Sequence, residues 1–146
     1  MEKIRKENRM KGFFNKILRI NLKTKTFKEE PISDSIYRTH LGGKGYGTYL
    51  FMKENPPGVD PLSPNNKLIF CMGPITNTWI FGSCRHGVFT KSPLTGIFSE
   101  SYSGGKVAEP MSRTGCDAFI IEEGSSEPGW VEISDQKVLF HDSKDL

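Results

Sequence analysis

The chain has 146 residues, room for one domain with a sizeable core, and its 25% charged and 36% hydrophobic residues are ordinary for a soluble globular protein. A formal net charge of +3 is too small to imply a nucleic-acid partner, although ten of the twenty Lys and Arg residues fall between Lys3 and Lys28. No apolar run approaches the ~20 residues of a membrane span, and the opening MEKIRKENRMKG lacks the apolar segment of a secretory signal.

Residues 1–10 read as a basic, solvated tail and residues 11–146 as the domain. Loose apolar alternation over 13–22, a polar Lys23-Thr24-Lys25 link and a second run over 26–30 predict a β-hairpin. Ser33 or Asp34 offers an N-cap for a short helix to about Leu41. The glycines of LGGKGYG then break the chain before a helix over 46–53. That stretch is either a phosphate-binding turn or a tight interhelical turn. It has neither the spacing of a P-loop nor the preceding strand of a dinucleotide fingerprint. A loop with four prolines, NPPGVDPLSPNN, leads to a buried strand over 67–72, and residues 75–82 are irregular, with Trp79 and Phe81 exposed. A strand over 87–90 and a turn over 92–96 follow. Residues 105–114 read as a helix shortened or kinked by Pro110 and ended by Gly115, 116–122 as a buried strand, and 130–134 with 137–141 as a last hairpin around Asp135-Gln136. The order ββααβββαβββ predicts an α+β fold with mainly antiparallel sheet.

The stretch 82–105, GSCRHGVFTKSPLTGIFSESYSGG, concentrates small residues, hydroxyls and cations, a composition suited to an anionic ligand. Within it Arg85 is either a bidentate contact to phosphate or a polar heterocycle, or a surface ion pair. Ser101-Tyr102-Ser103-Gly104-Gly105 offers hydroxyls and unhindered N–H groups, or is a plain loop cap. His86 has no nearby carboxylate and reads as packed or exposed rather than as an acid/base. Lys91 reads as solvated, and Glu122 and Glu123 as facing solvent. Cys71, Cys84 and Cys116 are odd in number and form no C-x-x-C, so they read as free thiols of a reducing cytoplasm.

From Lys67 onward, KLIFCMGPITNT…GSCRHGVFTKSPLTGIFSESYSGG resembles the N-terminal domain of the tungsten-containing aldehyde:ferredoxin oxidoreductase family. The likeness extends upstream through LGGKGYGTYLFMKENPPGVDPLSPNNKLI and downstream through SGGKVAEPMSRTGCDAFIIEEG. It covers nearly the whole chain from Lys11. The resemblance implies a two-sheet base that binds part of a bis-pyranopterin tungsten or molybdenum cofactor, its phosphates bridged by magnesium. Arg85 and Gly104 match the pterin-contacting Arg and Gly of that family. Tyr102 stands where the family's Asn gives a backbone carbonyl to the magnesium, and Cys84 stands where Gly is frequent. The backbone of Ser103–Gly105 and Lys44 are further candidates, and no catalytic acid or base is expected. The family's [4Fe–4S] cysteines and substrate residues belong to later domains, so this chain is expected to be one piece of a larger cytoplasmic enzyme. That enzyme would oxidise aldehydes with ferredoxin as acceptor, with the remaining domains or a separate iron–sulfur subunit as partner and a possible homodimer as its assembly. The alternatives are a non-catalytic pterin- or phosphate-binding module and, more distantly, a nucleotide-binding protein using residues 41–47.

Overall fold

Strands that are apolar on both faces belong in the middle of a sheet. Three runs here have that character. β1 (Lys16–Asn21) sends Ile17 to one side and Leu18 and Ile20 to the other. β3 (Leu68–Met72) splits Ile69 and Cys71 from Phe70 and Met72, and the strand Ala118–Glu122, β6 in chain order, splits Ala118 and Ile120 from Phe119. In the computed structural model, which describes residues 10–135 and 137–145, these runs form the centre of a six-stranded sheet. Residues 1–9 of the stretch 1–10 read as a basic tail, Gln136 of the expected last hairpin, and Leu146 lie outside the described residues.

The sheet order is β2-β1-β6-β3-β4-β5, with β2 at Thr26–Pro31, β4 at His86–Lys91 and β5 at Phe98–Ser103. Among the described residues only β1 and β6 run parallel; every other pair in this sheet is antiparallel. Helices α1 (Asp34–His40) and α2 (Gly43–Glu54) cover one face, setting Tyr37, Tyr46 and Leu50 against Ile69, Phe89 and Ile120. The other face carries α3 (Ala108–Arg113) and a separate hairpin, β7 (Gly129–Ile133) with β8 (Val138–Asp142), through Met111 and Val138. The α+β, two-sheet architecture matches the expectation. No helix among the described residues is long and apolar enough to cross a membrane.

Three local readings need correction. Helix α2 begins at Gly43, so the turn between the helices is only Leu41-Gly42, with Leu41 at φ 56°. The reason is close packing: a Cβ on Gly45 would lie 2.2 Å from the His40 carbonyl oxygen, and one on Gly47 2.2 Å from the Phe89 ring. These glycines let α2 sit down on α1 and the sheet, as the tight interhelical turn of the two alternatives requires. Helix α3 begins at Ala108, so the Gly104-Gly105 pair is separated from it, and Pro110 falls in its first turn, where an N–H is not required. Gly115, at φ 74°, ends the helix as expected. Finally, Ser101–Ser103 is the end of strand β5 rather than a loop.

One residue fastens the centre together. The Asp117 carboxylate, buried just ahead of β6, accepts hydrogen bonds from the backbone N–H of Phe14 (3.0 Å), Asn15 (2.7 Å) and Lys16 (3.3 Å) and from the Tyr37 hydroxyl (2.5 Å). Its own N–H donates to the Lys16 carbonyl (2.8 Å), and its carbonyl accepts from Met72 N–H (3.1 Å). Burial and this bond raise the Tyr37 pKa far above the ordinary phenol value.

A second cluster sits at the sheet's other end. Arg19 donates to Glu30 (2.9 and 3.0 Å), Glu54 (2.9 Å) and Glu122 (3.0 Å), joining β1, β2, α2 and β6. Glu122 is therefore an ion-pair partner, not the solvent-facing carboxylate expected from its position at a strand end. The Arg19 hydrogen bond holds the Glu30 carboxyl down at about 2, from its ordinary 4.5.

Asp117→Ala should destabilise the fold by about 3 kcal/mol, since it orphans several buried donors at once, and Tyr37→Phe by about 1–2 kcal/mol; urea denaturation measures both. Because the Glu30 pKa is lower folded than unfolded, its stabilisation is complete above 4.5 and is lost as the pH falls through about 2. The stability gap between the wild type and Arg19→Met should narrow across that window in denaturation curves taken at successive pH values.

Candidate functional site

Strand β3 stops at Met72 and β4 starts at His86, and the connecting loop folds back over the sheet end. A cavity of about 270 Å³ opens there, between the start of α2 at Gly43, the loop 73–85, and Tyr102 of the edge strand β5. Its wall is mostly apolar, with Ile75 from the loop, Gly87 from β4 and Arg85 at the strand's threshold. The loop is pinned locally: Thr76 Oγ1 accepts from Gly73 N–H (3.2 Å) and donates to the Arg85 carbonyl (3.4 Å). Its outer turn projects Trp79 and Phe81 into solvent, 96% and 104% exposed, as their irregular, apolar sequence suggested.

Arg85 is exposed, and among the described residues its guanidinium has no hydrogen-bond or ion-pair partner. Of the two sequence alternatives for this residue, the surface ion pair is therefore not formed among the described residues. Tyr102 lies directly opposite Gly87 in the β4–β5 ladder. Its ring stands where a side chain on Gly87 would reach: a Cβ there would come within 3.1 Å of Tyr102 Cε1 and 2.7 Å of Phe89 Cζ. The ring meets Phe89 edge-to-face at 6.0 Å. Its hydroxyl donates to Glu100 (3.0 Å), and Lys44 donates to the same carboxylate (2.6 Å). Lys44 thereby pulls the Glu100 pKa down, while desolvation first and Glu100 second push the Tyr102 phenol up to about 12.

The structure thus brings Arg85 and Tyr102 to one cavity. Ser103 follows at the end of β5, paired across the ladder with His86, and its hydroxyl donates only to the neighbouring Gly104 carbonyl (3.2 Å). Gly104 and Gly105 come next, with open space where a Cβ would project, so their backbone is approachable. Lys44 does not line the cavity; it faces a shallow hollow beside His40 and Tyr49 and is held by Glu100. Lys91, read as solvated, instead donates to the Val59 carbonyl (2.5 Å), tying β4 to the proline-rich loop. His86 is packed: it is buried, its Nδ1 has no hydrogen-bond partner among the described residues, and burial lowers its pKa. Cys71 and Cys116 are buried thiols and Cys84 is half-buried, all unbridged. Burial pushes the Cys116 thiol up to about 11.

Sequence reasoning missed Glu100. Alternation along FSESYS places residues 100 and 102 on one face of a strand, a signal hidden while that stretch is read as a loop. Among the described residues no three His, Cys, Asp or Glu side chains converge as a metal site. The chemistry available at the site is a guanidinium without a partner among the described residues, a fixed phenol ring and accessible glycine backbone, groups suited to a planar or anionic ligand.

Comparison with known proteins gives a consistent result. The family model for the aldehyde ferredoxin oxidoreductase N-terminal domain matches residues 17–146. The tungsten-containing aldehyde ferredoxin oxidoreductase of Pyrococcus horikoshii is 41% identical over 134 residues, covering 92% of this chain and 22% of the relative. A Pyrococcus furiosus protein described as an aliphatic sulfonate oxidoreductase, WOR-like subunit, is 26% identical over 92% of this chain and 22% of its own length. Among solved structures, the active-site complex BamBC of benzoyl coenzyme A reductase with 1,5 dienoyl-CoA aligns with a TM-score of 0.88 and 28% identity, over 92% of this chain and 21% of that one. The chain spans about a fifth of the length of the relatives it matches.

Gly47→Ala should drive a methyl into the Phe89 ring and destabilise the fold by about 1–3 kcal/mol. Arg85→Ala and Gly104→Ala should stay within about 0.5 kcal/mol of the wild type, since neither removes an internal contact. Thermal denaturation of the three variants separates the packing glycine from the positions without internal contacts.

Proposed function

Since the chain belongs to the aldehyde ferredoxin oxidoreductase N-terminal domain family, we propose that it forms the pterin-binding wall of a tungsten- or molybdenum-dependent oxidoreductase. The reading rests above all on Arg85: a guanidinium with no partner among the described residues, at a largely apolar cavity that Tyr102 also lines, with Ser103 and the approachable backbone of Gly104 and Gly105 following Tyr102 in the chain. Those groups suit a pterin with a phosphate tail. The guanidinium offers paired N–H donors to a heterocycle edge or to phosphate, and the glycine N–H groups offer further donors without steric hindrance. The Tyr102 backbone carbonyl is the proposed contact to a bridging magnesium, for which an oxygen donor is the right type.

When bound, the metallopterin would supply the two-electron redox chemistry, converting an aldehyde and water to a carboxylate with electrons passing through a [4Fe–4S] cluster to ferredoxin. This chain's own residues hold and orient the cofactor and neutralise its phosphates; none is assigned a proton-transfer role. The partner would be the remaining domains or an iron–sulfur subunit. The fully exposed Trp79 and Phe81 on the cavity's loop favour such a partner, because paired aromatics left in water mark a contact surface.

The test is composition. The intact gene product, purified from a tungsten-supplied anaerobic host, should contain pterin and tungsten. Arg85→Ala should lower the pterin content several-fold without changing the melting temperature of the cofactor-free protein. A wild-type protein free of both pterin and metal would remove the proposal.

A further inference from the structure

The cavity wall contains a group whose side chain the proposed function does not use. Tyr102 is 43% exposed, yet its ring is fixed from three directions. It lies over Gly87, it abuts Phe89 edge-to-face at 6.0 Å and 84°, and its hydroxyl is tied to Glu100 at 3.0 Å. Glu100 is itself anchored by Lys44 at 2.6 Å, across from the first turn of α2. The absent side chain at Gly87 leaves the space that the phenol occupies, and the cavity it borders is lined mainly by apolar atoms, with Arg85 beside it. A rigid aromatic ring lining one cavity with a planar cation that has no partner among the described residues is an arrangement suited to flat heteroaromatic rings. The ring offers a face for stacking, and the guanidinium offers in-plane donors. Fixing the ring beforehand removes the ordering cost from binding.

We infer that the Tyr102 side chain is a stacking platform for the heterocycle of the ligand, with Glu100 as the residue that positions it. This rests on the reading that the cavity holds a pterin. It adds a side-chain role, and with it a preference for an aromatic ligand, at a position so far assigned only a backbone contact. Phosphate alone would gain nothing from the Tyr102 ring.

The test uses the intact gene product made in a host without the cofactor pathway, titrated with 6-hydroxymethylpterin and followed by pterin fluorescence. Tyr102→Leu should weaken binding about tenfold, the scale of a lost base–aromatic stack. Tyr102→Phe, which keeps the ring but loses its tie to Glu100, should weaken binding only about threefold. Glu100→Ala should weaken binding about threefold, and Glu100→Gln, which keeps an acceptor for the phenol, should restore it. Melting temperatures verify folding, and Tyr102→Asn, a polar residue on an edge strand, repeats the truncation should the leucine variant not fold. If the truncations bind the pterin as the wild type does while Arg85→Ala does not, the stacking role is overturned and the pterin site stands. If Glu100→Ala binds unchanged, its positioning role is overturned. If the wild type takes up no pterin, both readings fall.

Discussion

The buried carboxylate of Asp117 is the constraint on which the sheet depends. It collects three successive backbone N–H groups where the chain enters β1, and it collects the hydroxyl of Tyr37 from α1. Its backbone meanwhile bonds to β1 on one side and to β3 on the other. A buried carboxylate is tolerable only when its lone pairs are filled, so this arrangement is close to all-or-none. It also fixes the one parallel pairing, Ile17 opposite Ala118, which brings the first hairpin and the β3–β4–β5 unit into a single sheet. Without β6 between them, these two units would share no strand contact.

The site follows from that assembly. Joining the units places β3, β4 and β5 together under the first turn of α2, and the cavity opens where their ends meet the loop 73–85. The polar groups divide by what they touch. Arg19 is saturated by Glu30, Glu54 and Glu122, and Lys44 is engaged by Glu100; both are occupied in holding elements together. Arg85 has no such partner among the described residues, although a guanidinium is the side chain most able to make one. That contrast, rather than the number of cations, separates structural charge from charge available to a ligand.

The glycines divide in the same way. Gly45 and Gly47 are small because His40 and Phe89 come too close for a Cβ, which is a packing requirement of the helix–sheet contact. Gly104 and Gly105 face open space, so their lack of a side chain serves approach from outside. A glycine-rich sequence therefore carries two opposite meanings in one chain, and both bear on the proposed cofactor wall. The first lets α2 close down beside it, and the second leaves its backbone accessible.

Much was legible in the sequence. Continuous apolar runs marked β3 and β6 because strands buried on both faces need apolar residues at every position, and Ser33 or Asp34 marked the start of α1, where the structure has the Ser33 side chain cap a free N–H. The KSPLTG-containing stretch pointed to the family, and Arg85 was singled out by its small, glycine-flanked surroundings. Other features required the tertiary structure. The parallel β1–β6 pair joins residues about a hundred positions apart, and no local pattern encodes which strands become neighbours. The true start of α2 depended on His40 and Phe89 excluding side chains. Glu122 left solvent for Arg19, and Glu100 gained its role only when Lys44 and Tyr102 were brought to it from separate elements. Local propensity and capping are short-range and act along the chain. Ion pairing, steric exclusion and cavity formation act across it, and only the folded arrangement sets them.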